Sequence, residues 1–504
     1  MPNHGHLNVG KIAVMTELSD PAGNRIKSWV SLLPALVLGA LVVWGLMLRP
    51  LVFGLPSIPL EIVFLASASF AIGLLLWIGF TWLQIQQAIV QRLAKALPAI
   101  FILLLIGPLV AAWMTSGTIP MLVSWGVRLI DPQYLYVVSF AVAAIFSILT
   151  GTSWGSAATV GVVLIGIGSS VGADIAIVAG AVIGGAYFGD KLSPLSDTTN
   201  MAAIASGVDL FDHIQSMLWS TVPSAIFALV AYSLVGLFFE IDTQAVESVN
   251  VSAFLSGLDS AFVDSLALLI PVLIVLVGSI RKWPTIPVLL LSIMSAILLA
   301  LVLQDLALST VSQALVTGVT LTPIDGIPVV ESVRALVERG GLYSMQEAIF
   351  VAVLVFFFVG AIDLLDTMPR LVQVLFGFVR GPKQTVLAAL SAAATTNALT
   401  SNQSATAFIV GDAFSRRFDD LLIPRRVLSR SIEDTGTMIE SIIPWHATAL
   451  FMVATLGVPV SEYWYWQFLT LANLLVAPLL AITGIGCGFN SSQQETDRER
   501  LKNT

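Results

Sequence analysis

Apolar runs close to the length of a bilayer crossing recur from one end of this chain to the other. They lie at residues 31–48, 60–83, 97–114, 135–150, 216–239, 264–280, 284–303, 346–362 and 464–484. About 20 apolar residues in a helix cross a hydrocarbon layer ~30 Å thick. Inside that layer no water satisfies backbone amides and carbonyls, so a run of this kind must satisfy them within itself, as a helix. With the interrupted segments added, the expectation is an all-α polytopic membrane protein of about 11–14 transmembrane segments, some discontinuous or re-entrant. Composition agrees: of 504 residues, 57% are hydrophobic and 11% charged, against about 25% charged in an ordinary soluble domain. The mean hydropathy is +0.92.

These features exclude several classes. Little sequence remains for a large soluble domain. The net charge of −8 is spread thinly through loops and tails, which argues against a nucleic-acid partner. Cys487 is the only cysteine, so no internal disulfide forms. The first apolar stretch begins near Ser28 without a small-residue cleavage site after it, and reads as a retained helix. No HExxH pair, GxSxG elbow or phosphate loop occurs, and GIGSSVG follows no strand, so neither an enzyme nor a bound cofactor is expected. His4 and His6 are too close to the terminus to read as a metal site.

Basic residues orient the helices, since loops rich in Lys and Arg face the cytoplasm. Arg92 with Lys95, Arg281 with Lys282, Arg380 with Lys383, the 415–430 loop (Arg416, Arg417, Arg425, Arg426, Arg430) and Arg498 to Lys502 mark such places. The acidic or neutral stretches 238–248 and 305–345 then lie outside, and both termini lie inside. The two halves also resemble one another. Helix 98–116 and helix 346–366 are each followed by an amphipathic stretch, then by an apolar helix that runs into polar residues, GTSWGSAAT (151–159) and TTNALTSNQSAT (395–406). Each half then carries an acidic break, LSDTTN (195–200) set against IEDTGT (432–437). The loop SSVGAD (169–174) has no basic residue, whereas its counterpart at 415–430 has five arginines. The expectation is two inverted-topology repeats: N-terminal helices 1–97, repeat 98–240, connecting helices and external loop 241–345, repeat 346–485 and a cytoplasmic tail 486–504.

The polar breaks are the candidate sites. Backbone leaves helical geometry at membrane depth only where protein or a water-filled cavity satisfies it, and Gly151, Gly155, Pro194 and Pro444 lie in or beside such segments. Carbonyls freed there, with hydroxyls and amides, suit a hard cation such as Na+. An ionisable group at the bilayer centre costs roughly 2.5–3.5 kcal/mol and usually serves an ion or proton path. Asp190 and Asp197 are the predicted Na+ ligands, able to trade the ion for a proton, with Ser193, Ser196, Thr198, Thr199 and Asn200 around Asp197. In the second half Glu433, Asp434, Thr435, Thr437 and Glu440 repeat the pattern, and Arg430 is placed to neutralise one acid. Pairing of Lys191 with an acid, in a merely interfacial loop, is the alternative for 190–191. His446 follows Pro444 and Trp445 and titrates near neutral pH when exposed. Asp363, Asp366, Asp412, Asp209 and Asp212 read as capping or interfacial residues.

TGTSWGSAATVGVVLIGIG (150–168), GAYFGDKLSPLSDTTNMA (185–202), GVDLFDHIQSML (207–218), LSRSIEDTGT (428–437) and IIPWHATALFMVATLGV (442–458) closely resemble the NhaC family of sodium/proton antiporters, from about Pro98 to the last helix. The resemblance implies a secondary transporter of a prokaryotic cytoplasmic membrane, of the ion-transporter superfamily, that exchanges Na+ for H+ and is often dimeric. Carried over by position, Thr152, Ser153, Gly155 and Ser156 match the first polar segment. Asp190, Ser193, Pro194, Ser196, Asp197, Thr198, Thr199 and Asn200 match the acidic signature. Glu433, Asp434, Thr435, Gly436, Thr437, Pro444 and Trp445 match the second. The chain departs from the pattern at Met438, Ile439, Glu440 and His446, and in SNQSA (401–405), where Asn402 and Ser404, with Asn397 before them, are further candidates. Those departures leave a second reading open, a Na+- or H+-coupled carrier of a small organic acid or amino acid.

Overall fold

In a computed structural model of the chain, the described residues are 28–238, 248–320, 337, 338 and 340–489. His4, His6, Arg498 to Lys502 and residues 239–247, 321–336 and 339 of the two acidic or neutral stretches lie outside them. All regular secondary structure among the described residues is helical. Among the described residues, nine helices are long and apolar enough to cross a membrane, or up to 12 if each bent pair is one span.

Most apolar runs become helices close to the expected bounds, such as Leu135–Thr150, Thr285–Val302 and Gln346–Asp363. The run 97–114 instead belongs to a 34-residue helix, Trp82–Thr115, that continues through Pro98 and Pro108. The expected boundary between 97 and 98 therefore falls inside an unbroken helix. The run 60–83 divides, because Gly79 takes a left-handed conformation and Thr81 caps the next helix with Gln84 in a capping box.

Two units follow the same element order. In the first, helix Leu135–Thr150 ends at Gly151 (φ +69°), Thr152 caps the next helix, Ile175–Leu192 follows, a break at 193–196 interrupts it, and Asp197–Ser206 ends at Gly207. In the second, helix Pro382–Thr400 ends at Ser401 (φ +49°), Asn402 caps Gln403–Asp420, the segment Arg425–Ile442 follows, a break at 443–446 interrupts it, and Ala447–Leu456 ends at Gly457. Gly151, Thr152, Pro194, Ser196 and Gly207 correspond to Ser401, Asn402, Pro444, His446 and Gly457, a constant spacing of 250 positions. Hydrogen bonds repeat at the same spacing: Thr150 Oγ1 lies 3.3 Å from Ser156 Oγ, and Thr400 Oγ1 lies 3.3 Å from Thr406 Oγ1.

This register corrects the pairing of LSDTTN with IEDTGT. Asp190 corresponds to Glu440, and IEDTGT lies opposite VIGGAY (182–187), inside a helix. IEDTGT is not a break: residues 432–437 form one wide helical turn continuous with Arg425–Ser431. The interruption falls at IPWH, where Pro444 removes a helix hydrogen bond, and the flanking helices bend by 47°.

The units interlock reciprocally. Asp197–Ser206 of the first packs on Gln403–Asp420 of the second, and Ala447–Leu456 of the second packs on 157–161 of the first. Their equivalent flanking helices, Trp82–Thr115 with Gln346–Asp363 and Leu210–Phe238 with Phe468–Thr483, also pack together. Among the described residues, five candidate spans run from Trp82 to Phe238, and two separate them from Gln346 when the bent pair Phe254–Ala261 and Leu266–Ile280 is counted as one span beside Thr285–Val302. An odd number followed by an even number is the parity of an inverted repeat.

Candidate functional site

Small residues bring the first acidic segment against the first turn. A Cβ added at Gly185 would lie 2.2 Å from the carbonyl oxygen of Phe140, and one at Gly189 would lie 2.4 Å from the amide nitrogen of Ile148. Only glycine lets helices Leu135–Thr150 and Ile175–Leu192 approach at backbone distance. That approach sets Asp190 beside the capped start of helix Ser153–Ser170, and Ser153 donates to Asp190 Oδ2 from its amide at 3.1 Å and its hydroxyl at 2.7 Å. Asp190 Oδ1 is buried and has no hydrogen-bond partner.

Asp190 faces a chamber of about 620 Å³ where both units meet. Thr152, Ser153, Asp197 and Thr198 line it from the first unit, and Asn402, Ser404, Glu440 and His446 from the second. Glu440 is more fully held than its counterpart Asp190. Its Oε1 accepts from Asn397 Nδ2 at 3.0 Å, and its Oε2 from the hydroxyls of Thr448 at 2.9 Å and Tyr187 at 3.4 Å. His446 Nδ1 accepts the Thr448 amide at 3.1 Å as the helix cap, which leaves Nε2 to donate to Asn397 Oδ1 at 3.1 Å. Asp197, exposed at the chamber's mouth, accepts from the Thr198 amide.

Other residues of the acidic signature close the backbone around the break. Thr199 Oγ1 donates to the carbonyls of Asp190 and Lys191, both at 3.2 Å. Asn200 Nδ2 donates to the carbonyls of Pro194 and Ser196, and Ser193 Oγ to that of Ile148. Ser196 Oγ caps the following helix through the Thr199 amide. The carbonyls freed at Pro194 thus receive protein donors here instead of standing bare for a cation. Ser156 lies behind the Gly151 turn, its hydroxyl donating to the Thr152 carbonyl at 2.7 Å.

Asp434 stands outside the chamber lining, in a second buried cluster. It pairs with Lys191, accepts from Ser220 Oγ at 2.6 Å and lies 3.7 Å from Arg430 Nε. Asn473 donates to its carbonyl at 2.8 Å and accepts from Lys191 at 3.1 Å. Adjacent positions on a helix point about 100° apart, so Asp190 turns to the chamber and Lys191 to this cluster. Lys191 is paired, and it sits within a helix, not in an interfacial loop. Glu433 accepts from Thr437 Oγ1 at 2.6 Å and leaves Oε1 without a partner, while Thr435 Oγ1 donates to the Leu390 carbonyl at 2.6 Å.

A family model for the Na+/H+ antiporter family matches residues 185–485. The chain is also 38% identical over 434 residues to an uncharacterized Na+/H+ antiporter of Haemophilus influenzae, covering 86% of this chain and 92% of that protein. The chain belongs to the Na+/H+ antiporter family. The Na+/H+ antiporter NhaC of Alkalihalophilus pseudofirmus is 34% identical over 439 residues, 87% of this chain and 92% of that protein. A malate-2H+/Na+-lactate antiporter of Bacillus subtilis is 28% identical over 431 residues, 85% of this chain and 90% of that protein.

For this member of the family, sequence reasoning missed Gln403, Thr448, Tyr187 and Lys95. Lys95, Gln403 and Thr448 line the chamber, and Tyr187 holds Glu440. The 250-position register would have found Gln403 and Thr448, which lie opposite Ser153 and Thr198. Tyr187 carries no local signal, because its contact is with a residue 253 positions away.

Proposed function

We propose that this chain exchanges Na+ for H+ across the cytoplasmic membrane of a prokaryote, with Asp190 as the carboxylate for which the two ions compete. The observation that carries the reading is Asp190 Oδ1, a buried oxygen without a partner in a chamber that both units line. A desolvated carboxylate is costly unless a cation or a proton neutralises it. Na+ and H+ each do so, and one group that holds either ion couples their movements. Ser153 holds the carboxylate in place, and the hydroxyls of Thr152 and Thr198 with Asp197 at the mouth supply further oxygens. Glu440, already covered by three donors, is held in place at the chamber wall. Alternating access follows when one part of each repeat moves against the rest.

The test uses purified protein in liposomes with an acid interior and a pH-sensitive dye. External Na+ is expected to alkalinise the interior, and Asp190→Asn to reduce the rate at least about 100-fold, the scale of losing an obligatory charged partner. Proton movement independent of Na+ in the wild type would overturn the reading.

A further inference from the structure

The flanking helices Trp82–Thr115 and Gln346–Asp363 are each followed by an amphipathic helix, and the two differ in what neutralises their cations. In the first unit, Arg128 of helix Thr118–Leu129 pairs with Asp259 at 2.9 Å. In the second unit, helix Thr367–Phe376 starts three residues after Asp363, and the chain beyond it carries Arg380 and Lys383. Both are exposed, and neither makes a side-chain hydrogen bond or ion pair among the described residues. No acidic residue occurs between Asp366 and Asp412. The protein thus supplies a carboxylate to Arg128 and, among the described residues, none to these two.

The same segment exposes an apolar edge. Helix Thr367–Phe376 buries Thr367, Met368, Leu371 and Val372, and packs on Ser28–Val42 and Gln403–Asp420. Thr367 Oγ1 fastens it by donating to the Ser31 carbonyl at 2.9 Å. Beyond that buried face, Val374, Leu375 and Phe378 are exposed, Phe378 to 77%. Bare apolar side chains beside free cations, close to the end of a membrane span, belong where hydrocarbon meets headgroups. A second copy of the chain fits this surface poorly. A two-fold interface sets a patch against itself, and here that would set Arg380 and Lys383 against their own copies with no acid between them. An anionic phospholipid matches both features, with a phosphate for the cations and acyl chains for the apolar edge.

We propose that segment 374–383 is a docking surface for an anionic phospholipid of the cytoplasmic leaflet. The headgroup phosphate lies at Arg380 and Lys383, and an acyl chain lies along Val374, Leu375 and Phe378. Segments rich in Arg and Lys face that leaflet, whose anionic lipids attract cations held close to the surface. The bound lipid holds helix Thr367–Phe376 against Gln403–Asp420, whose first turn lines the chamber.

The test is native mass spectrometry of the purified full-length protein titrated with phosphatidylglycerol or phosphatidylcholine, with inorganic phosphate as a competitor. Phosphatidylglycerol is expected to fill the tightest lipid site of the wild type ahead of phosphatidylcholine. Each cation near a bilayer surface adds about fivefold to such an affinity. Replacing both, Arg380→Gln with Lys383→Gln, is therefore expected to weaken that site about 25-fold. Phe378→Ala is expected to weaken both lipids and to keep the preference for phosphatidylglycerol. Arg128→Gln, at the cation that Asp259 already neutralises, is expected to leave the site unchanged. Equal affinity of the wild type for the two lipids would overturn the inference, as would an unchanged site in a folded double variant. Displacement of the lipid by inorganic phosphate at similar concentrations would overturn it in favour of a soluble anion. A wild-type dimer that the double variant loses would overturn it in favour of a second copy.

Discussion

Two neighbouring residues of one helix divide the chemistry of this protein. Asp190 enters the chamber with one oxygen bare, while Lys191 pairs with Asp434 in a cluster sealed by Ser220, Asn473 and Arg430. Breaking a buried pair from one side leaves an uncompensated charge, which typically costs about 3–5 kcal/mol. Asp434→Asn should therefore lower thermal stability in detergent by that order, and adding Lys191→Met should restore most of it. A double variant no more stable than Asp434→Asn would contradict a structural role for the pair. The string GDKLSPLSDTT was legible as polar residues among apolar helices, but the division of labour within it was not. Asp197, expected at the heart of the site, sits exposed at the mouth because it is the first residue of a helix that begins there. The partners that separate Asp190 from Asp434 come from residues up to 282 positions away in the chain, and no local spacing encodes them.

At the scale of elements, the turns shape the chamber wall. Thr152, Asn402, Ser196 and His446 each cap a helix start in or beside the chamber wall with a side-chain acceptor. Three of them keep that acceptor at any accessible pH. His446 keeps it only while neutral, since a protonated Nδ1 is a donor and faces the Thr448 amide. The groups around it are Asn397, Glu440 and Thr448, with Ser401 capping the adjacent Ala447 amide at 2.8 Å. Loss of a cap costs typically about 1 kcal/mol. His446→Ala should therefore lower thermal stability in detergent by about that amount, whereas His446→Asn, which keeps a capping oxygen, should retain most of it. Equal losses in the two variants would contradict the capping role. Prolines and glycines made the existence of these breaks legible. The wide turn at 432–437 was read as a break because its acids and hydroxyls look like one, yet tertiary partners hold it helical.

At the scale of the molecule, the repeat sets what meets what. The halves were visible as a repeated order of helices, but the register was not, because the most similar strings, LSDTTN and IEDTGT, are not equivalent in space. The constant 250-position spacing comes from turns and caps, whose residue types differ between the units. Trp154 of the first unit stacks on Phe451 of the second, with ring centroids 4.3 Å apart, so the chamber's wall is also the seam between the units. A double-mutant cycle of Trp154→Ala and Phe451→Ala should return a coupling of about 0.5–1.5 kcal/mol in unfolding measurements. Strict additivity would mean that the stack does not join them.

The central claim is that Na+ and H+ compete for one carboxylate, Asp190. Calorimetric titration of Na+ into the purified protein, in buffers of different ionisation enthalpy and at a series of pH values, tests it most directly. Competition predicts that Na+ binding releases a proton and that the apparent affinity falls about tenfold per pH unit on the acid side, with no Na+-linked release in Asp190→Asn. Sodium affinity independent of pH, or undiminished proton release from Asp190→Asn, would contradict the account.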